Sequence, residues 1–442
     1  MMEQLSIFDL TMPYISVDKP IRLLEMFAGI GSQAMALRDL GADFEHYRMI
    51  EFDEHAVRSY NAIHGTSFPV TDIRNVHGED LGIVDKDKYS YILTYSFPCV
   101  TAGTLVRTDD GYKKIEDVRV GDMVLTHKGR YKKVLKTMSR VSNHVNHITG
   151  NGVADLHITD EHPLYVLRNG KEEWVKCKDL KMSDKLSFCV DKQNDTAPQS
   201  NDVLWLLGRY VADGHINKYT YNSVNFAVSF SKENEFLNHL PSSLAGRFKK
   251  FKKTGIWDYR IADAEFQEAC SEFGTGSANK EIPGWVFNLP NEKKKSFLDG
   301  YFSGDGHIRE YRRQTMFCTT SHKLFCGLQS LIVDVYGTVC GCYIRSDTRK
   351  ETFDDTYNGQ YTKNAKWNGQ VRTSSKIFVP IRSIERERGN IEVFNIEVED
   401  DNSYTCENVI VHNCQDLSVA GRRKGMKKGS GTRSGLLWEV ER

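Results

Sequence analysis

The chain changes texture at Cys99 and changes back near its end, and that order limits what it can fold into. Residues 20–98 alternate apolar runs with helical periodicity. They read as a strand at Pro20–Phe27, a glycine break at Gly29–Ile30–Gly31 and a helix at Ser32–Leu40. A strand at Phe44–Phe52, a helix at His55–His64 and a strand at Tyr89–Tyr95 follow. Such alternation predicts an α/β fold with a parallel sheet. From 99 to 190 the helical pattern is lost. Short β-type runs broken by Gly and Asp replace it, at Thr104–Val106, Met123–Thr126, Tyr131–Val134, Asp155–Ile158 and Leu164–Val166, which reads as compact all-β. Residues 201–340 turn helical, 377–412 return to β texture, and the end is Gly- and Lys-rich, then helical at Leu436–Arg442. One domain nested in a second, itself nested in a third, accounts for that order most simply. The expected segments are 1–98, 99–200, 201–371, 372–413 and 414–442.

With 442 residues the chain exceeds a single ordinary core. Lys+Arg and Asp+Glu both number 59, which excludes an overall polycation but not a basic face. Mean hydropathy is −0.49 and no apolar run reaches the ~18 residues of a membrane span. The N-terminus lacks the basic region and apolar core of a secretory leader. The expectation is therefore a cytoplasmic protein with reduced thiols and no membrane partner. None of the 10 cysteines precedes Cys99, and no CxxC pairs give zinc-ligand spacing. Single reactive thiols are expected rather than a disulfide framework.

Phe27–Ala28–Gly29–Ile30–Gly31 follows a strand and opens a helix. Glycines there let backbone approach a ligand, and a helix N-terminus favours a negative group. Glu51 ends the next strand, where an acid can hold ribose hydroxyls. A lone Gly-rich turn is also what any tight turn looks like; the acid and the strand context favour a nucleoside cofactor. The segment resembles DNA cytosine-5 methyltransferases: Phe27–Gly31 their motif I, Glu51 the acid of motif II, Asp72 motif III, and Ser96–Phe97–Pro98 the start of the Pro-Cys motif. The resemblance implies a Rossmann-like fold, S-adenosylmethionine as ligand, and Phe27, Gly29, Gly31, Glu51, Asp72 and Pro98 around it. The family next needs Cys-Gln. Here Pro98 is followed by Cys99–Val100–Thr101, and the motif resumes as Cys414–Gln415–Asp416–Leu417–Ser418. Joining Pro98 to Cys414 restores SFPCQDLSVAG, so residues 99–413 read as an insertion.

The insert's edges carry usable chemistry. A thiolate at Cys99 can attack the preceding carbonyl, Cys414 can take over the acyl group, Asn413 can cyclise through its side-chain amide, and His412 can move protons near neutral pH. The arrangement resembles an intein. Cys99–Gly111 looks like the N-terminal splicing block, and Leu156–Pro163 like the block with Thr-x-x-His. Val393–Asn413 looks like the two C-terminal blocks. The resemblance implies an all-β Hedgehog/intein (HINT) fold in which Thr159 and His162 polarise the Pro98–Cys99 peptide, and excision needs no cofactor. Asn395 and Asn402 stand where the family usually has Asp and often His, which shifts proton transfer onto His162 and His412. Pro98, with its fixed φ, predicts slow thioester formation.

Inside the insert, Leu206–Gly214 recurs as Phe297–Gly306, and both copies continue His-Ile. Small residues Gly208, Ala212, Gly300 and Gly304 would let two helices pack closely, each ending in an acid, Asp213 or Asp305. Paired carboxylates suit a divalent metal and phosphodiester attack. The repeat resembles LAGLIDADG homing endonucleases, which implies an α+β domain, double-stranded DNA as partner, Asp213 and Asp305 as metal ligands (magnesium first) and Lys280 as an active-site lysine. Arg247, Lys249, Lys250, Lys252 and Lys253 are phosphate-contact candidates or a solvated charged face.

After joining, Cys414 would be the methyltransferase nucleophile that adds to a flipped cytosine. The family's Glu-Asn-Val motif and target-recognition region do not occur in the sequence. A second chain supplying them, or a longer protein of which this is part, is the expectation. Two alternatives stand beside an active splicing precursor: a homing endonuclease whose splicing has decayed, and a split methyltransferase subunit of a restriction-modification type.

Overall fold

The structure is a computed structural model that describes residues 18–26, 28–51, 53–71, 76–94, 98–191, 198–217, 222–346, 355–363 and 369–413. Phe27, Asp72, Ser96, Phe97 and everything from Cys414 onward, including the expected Leu436–Arg442 helix, lie outside the described residues. The chain divides into two compact units, one containing residues up to Phe97 and the other Pro98–Cys414.

The first unit has the expected α/β order. Strands Ile21–Met26, Phe44–Ile50 and Ser90–Thr94 form a parallel sheet with Ile21–Met26 in the centre. Helices Ser32–Asp39 and Glu54–His64 connect or follow them. The second helix is capped at its start by the Asp53 carboxylate, which accepts from His55 and Ala56. Leu24, Ile50, Val76 and Leu81 form one small core and Ala28, Met49, Val57 and Tyr60 another.

The second unit is built on a 13-stranded, largely antiparallel sheet system. Its backbone is a long pair: strand Tyr131–Gly150 lies antiparallel to strand Lys376–Val398 along almost its full length. The sequence shows only Tyr131–Val134 as β, because the rest of that strand alternates exposed polar residues with few apolar ones. Strand Val409–His412 pairs with Ser403–Cys406 and touches Leu164 and Phe188, so the insert's last residues sit inside the same core as its first. Val100, Ile158, Leu164, Phe188, Ile396 and Val411 all pack in that core.

Residues 201–340 read as mainly helical, and the structure corrects this. Four strands surround helix Asn201–Asp213 (Gly214–Asn217, Ser223–Ser229, Ile256–Ile261, Lys249–Lys253), and four more follow helix Asn291–Asp305 (His307–Arg309, Gln314–Thr319, Thr356–Thr362, Gly341–Arg345). The two sheets repeat one antiparallel order. The strands are short, and Lys249–Lys253 carries a single apolar residue, which hides its period. The two helices pack back to back. A Cβ on Gly208 would fall 2.0 Å from the Phe297 carbonyl oxygen, and one on Gly300 would fall 1.9 Å from that of Trp205. Only glycine permits that approach. The boundary expected between 371 and 372 falls inside a two-residue strand, Val371–Arg372, that pairs with the Lys376–Val398 strand. Among the described residues no helix is long and apolar enough to cross a membrane.

Candidate active site

Both ends of the second unit meet in one buried place. Cys99 is fully buried, as are His162 and Asn413. The tight turn after strand Val153–Ile158 supplies Thr159 and His162. Thr159 Oγ1 accepts the Cys99 N–H at 2.9 Å and donates to the Cys99 carbonyl at 3.3 Å, and the Thr159 N–H bonds that same carbonyl at 3.0 Å. This turn thus fixes the nitrogen of the Pro98–Cys99 peptide. The oxygen of that peptide is held from the other side: Asn395 Nδ2 donates to the Pro98 carbonyl, while Asn395 Oδ1 accepts from Ile396.

His162 reaches the opposite end of the insert. Its Nε2 donates to the His412 carbonyl at 2.8 Å, which fixes the tautomer, and the ring also lies against the Cys99 backbone. His412 Nδ1 donates to the Asn413 carbonyl at 2.9 Å, and its ring rests edge-on against Trp174. Asn413 is held by its N–H on the Asn402 carbonyl and its Nδ2 on the Val398 carbonyl. Asn402 therefore contributes backbone, in a left-handed conformation.

Burial sets the electrostatics. It pushes the Cys99 thiol up to about 12, and the Arg140 guanidinium, hydrogen-bonded to the thiol, acts the other way. Burial pushes His162 down to about 4 and lowers His412. The expectation of histidines titrating near neutral pH is corrected: both imidazoles are neutral at pH 7. The cysteines are single thiols, as expected, and burial makes them harder to ionise. No disulfide joins the described cysteines, only Cys318 among them is exposed, and desolvation raises it and the buried ones.

A second cluster lies at the C-terminal ends of the two packed helices. Desolvation first and the Asp213 charge second push Asp305 up to about 6, and the two carboxyls hydrogen-bond. Arg209 pairs with Asp213 at 2.7 Å. Lys280 Nζ donates to the carbonyls of Tyr210, Val211 and Gly214 at 2.7–2.9 Å, closing the end of the Asn201–Asp213 helix. Burial pushes its ammonium down to about 8 against the pull of Asp305 and Asp213. The phosphate reading of the basic stretch is narrowed. Arg247 pairs with Asp263, Lys250 with Glu233 and Lys253 with Asp258. Among the described residues Lys249 and Lys252 make no ion pair.

In the first unit, Gly29 and Gly31 take positive φ, and the two oxygens of Glu51 accept the Gly29 and Asp53 N–H groups at 3.1 and 3.0 Å. Pro98 belongs to the second unit, with its carbonyl on Asn395.

The family model of the intein splicing domain matches residues 106–413, about the whole of the second unit. The chain belongs to the intein splicing domain family. The C-5 cytosine-specific DNA methylase model matches residues 21–105, so the intein follows a methylase segment. The ATP-dependent DNA helicase Hel308 of Thermococcus kodakarensis is 24% identical over 421 residues, covering 74% of this chain and 37% of the helicase. The iron-sulfur cluster assembly SufBD family protein Mb1496 of Mycobacterium bovis is 25% identical over 402 residues, covering 78% and 47%. The chain thus spans less than half the length of either. The orphan methyltransferase M.SssI of Spiroplasma monobiae is 36% identical over 109 residues, 22% of this chain and 27% of that protein. Among solved structures, a bacterial intein-like domain from Clostridium thermocellum aligns over 72% of this chain and 100% of its own, at 12% identity and a TM-score of 0.26. I-DmoI in complex with DNA and Mn aligns over 36% and 88%, at 10% identity and a TM-score of 0.28.

Two residues of the intein centre escaped the sequence reading. Asn395 was legible as a departure but not as the donor on the Pro98 carbonyl. Arg140 lies on the part of the long strand that carries no β signal, opposite Val393, and nothing in its local sequence ties it to Cys99.

Proposed function

We propose that residues 99–413 excise themselves and join Pro98 to Cys414. One observation carries the reading: Thr159 and His162, from one turn, hold the Cys99 amide and the His412 carbonyl, so both scissile regions share one dry site. In the first step the Cys99 thiolate attacks the Pro98 carbonyl carbon while Asn395 stabilises the developing oxyanion. The C–N bond to Cys99 breaks, and the nitrogen leaves as an amine with a proton relayed by His162. The Cys414 thiol then displaces Cys99 from the thioester, giving a branched chain. Asn413 Nδ2 attacks its own carbonyl, which His412 polarises; the Asn413–Cys414 bond breaks and a succinimide forms. The freed Cys414 amine finally captures the acyl group from its own sulfur. No step uses an external oxidant or cofactor. Intact mass spectrometry of the expressed chain over time tests this. Appearance of an insert of residues 99–413 and of 1–98 joined to 414–442, both lost in Cys99→Ala and Asn413→Ala, supports it; a stable 50.5 kDa chain contradicts it.

A second reading rests on the acid pair. We infer that the repeat domain cuts double-stranded DNA, with the uninterrupted methyltransferase gene as target. Two carboxyls that destabilise each other, one raised to about 6, and an all-oxygen donor set fit a hard divalent cation such as magnesium. That cation, when bound, supplies charge stabilisation at the scissile phosphate. Asp213 and Asp305 would hold it, Arg209 is ion-paired to Asp213, and Lys280 stands beside both. Cleavage of a duplex encoding SFPCQDLSVAG, abolished by Asp305→Asn while excision continues, supports this reading; no cleavage by the unaltered chain contradicts it. In the first unit, the Gly29–Gly31 turn and the Glu51 carboxylate beside it suit S-adenosylmethionine, with the remaining methyltransferase machinery supplied by further sequence or by a partner chain.

A further inference from the structure

A third cluster of reactive side chains lies away from both the splicing centre and the acid pair. His322 and Cys326 occupy positions i and i+4 in the first turns of helix His322–Tyr336, so they face the same way. Opposite them stands Glu407, on the turn between strands Ser403–Cys406 and Val409–His412. Glu407 Oε2 takes His322 Nε2 at 2.8 Å and Cys326 Sγ at 3.6 Å. Its other oxygen accepts the Leu105 N–H at 2.8 Å, which holds the carboxylate in place. One donor atom from each of the three lies within 4.8 Å of the other two. The His322 ring is stacked flat on Tyr357, centroids 4.7 Å apart, so the imidazole is oriented before any ligand arrives. The cluster borders a cavity that Cys342 also lines; that almost fully buried thiol lies outside the 4.8 Å group and has to turn toward it to bind.

We propose that His322, Cys326 and Glu407, with Cys342 as fourth donor, form a binding site for a transition-metal dication of the zinc class. One imidazole, one carboxylate and two thiolates suit a borderline-soft, four-coordinate ion and do not suit magnesium or calcium. Binding releases the protons of both thiols to solvent and replaces the hydrogen bonds of His322 and Cys326 to Glu407. The ligands come from two places: His322 and Cys326 from helix His322–Tyr336 and Cys342 from strand Gly341–Arg345, Glu407 from the hairpin whose last strand ends at His412. A bound ion would clamp the insert to that hairpin. The site needs neither splicing nor DNA cleavage to be correct.

Cobalt(II) and zinc are the probes, added to the full chain carrying Asn413→Ala so that it stays intact. One equivalent of cobalt is expected to give tetrahedral visible bands with a thiolate charge-transfer band, and one equivalent of zinc to bleach them. Cys326→Ser and His322→Gln should each weaken binding at least tenfold, and Cys342→Ser should remove about half of the charge-transfer intensity. Circular dichroism of each variant separates lost binding from lost folding, and the unaltered site's own spectrum does not depend on any variant. Absence of the bands in the unaltered site overturns the proposal. So do bands that survive Cys326→Ser and vanish with Cys99→Ser, because the ion would then sit on the splicing thiol. Full intensity in Cys342→Ser removes Cys342 from the set and with it the four-donor site.

Discussion

The two ends of the intein are polarised by different chemistry. At the upstream junction the Pro98 carbonyl rests on a neutral amide, Asn395, and the nucleophile is a thiol that burial pushes up to about 12. At the downstream junction the Asn413 carbonyl rests on an imidazole, His412, and the nucleophile is an amide nitrogen that never ionises. If the chain excises its insert as proposed, the upstream step is limited by making a thiolate. The downstream step is limited by orienting a poor nucleophile. The two should respond separately to mutation and to pH, although His162 ties them within one core.

The sharpest way to break this comparison is Asn395→Ala. Loss of one oxyanion donor in a water-excluded site costs about 10²–10³ in rate. The expected result is that fall in thioester formation, read as cleavage by added thiol in an Asn413→Ala background, while in a chain that keeps Asn413 its cyclisation changes far less. Asn395→Asp discriminates further. A carboxylate cannot donate to the Pro98 oxygen at pH 7, so the variant should stay slow. If Asp restores the rate, the position works as a proton carrier and the donor role is wrong.

The mirror experiment is His412→Ala. It removes the donor on the Asn413 carbonyl and should slow release of the C-terminal segment by about a hundredfold, while thiol-induced cleavage at Pro98 persists. Equal losses at both junctions would mean that His412 acts through the shared core, by way of its carbonyl on His162, rather than at its own scissile bond.

Much of this centre was legible in sequence, and what was not has a common cause. Cys99, His412 and Asn413 stand at the edges of the interrupted motif, Thr159 and His162 come from the resemblance to intein blocks, and the structure brings all five together. Asn395 and Arg140 act from the long antiparallel pair, whose strands are some 250 residues apart in sequence and rich in exposed charge, as in Glu385–Arg388. Apolar alternation marks a strand only where one face is buried, and much of this pair has both faces wet. The same reason hid one strand of the repeat domain: Lys249–Lys253 reads as a charge run and is an exposed strand. The close-packed helices were legible because a glycine at a crossing has no substitute.

The next test sharpens the contrast through pH. Because the Cys99 thiol is pushed up to about 12, its ionised fraction rises about tenfold per pH unit throughout the working range. Thioester formation should climb with nearly that slope from pH 6 to 9. The downstream step should stay flat there, because burial lowers His412 below its usual range and leaves it neutral. Arg140→Gln removes the cation beside the thiol and should displace the upstream profile to higher pH without moving the downstream one. A plateau for the upstream step near pH 7 would show a thiol that ionises far more easily than its burial implies.

The smallest expected effect is at Pro98. Its ring fixes φ, and its carbonyl is already anchored on Asn395, so the carbonyl carbon must turn tetrahedral with the chain held on one side. Pro98→Gly frees that side. Backbone restriction of this kind is worth about 0.4–1 kcal/mol, which sets the expected gain at about two- to fivefold in thioester formation and nothing in Asn413 cyclisation. A larger gain would mean that proline, and not thiol ionisation, limits the upstream step, and the steep pH slope should then flatten in the glycine variant as well. A loss would mean that the fixed φ helps to place the carbonyl on Asn395, making Pro98 part of the upstream device rather than an obstacle that the methylase motif imposes on it.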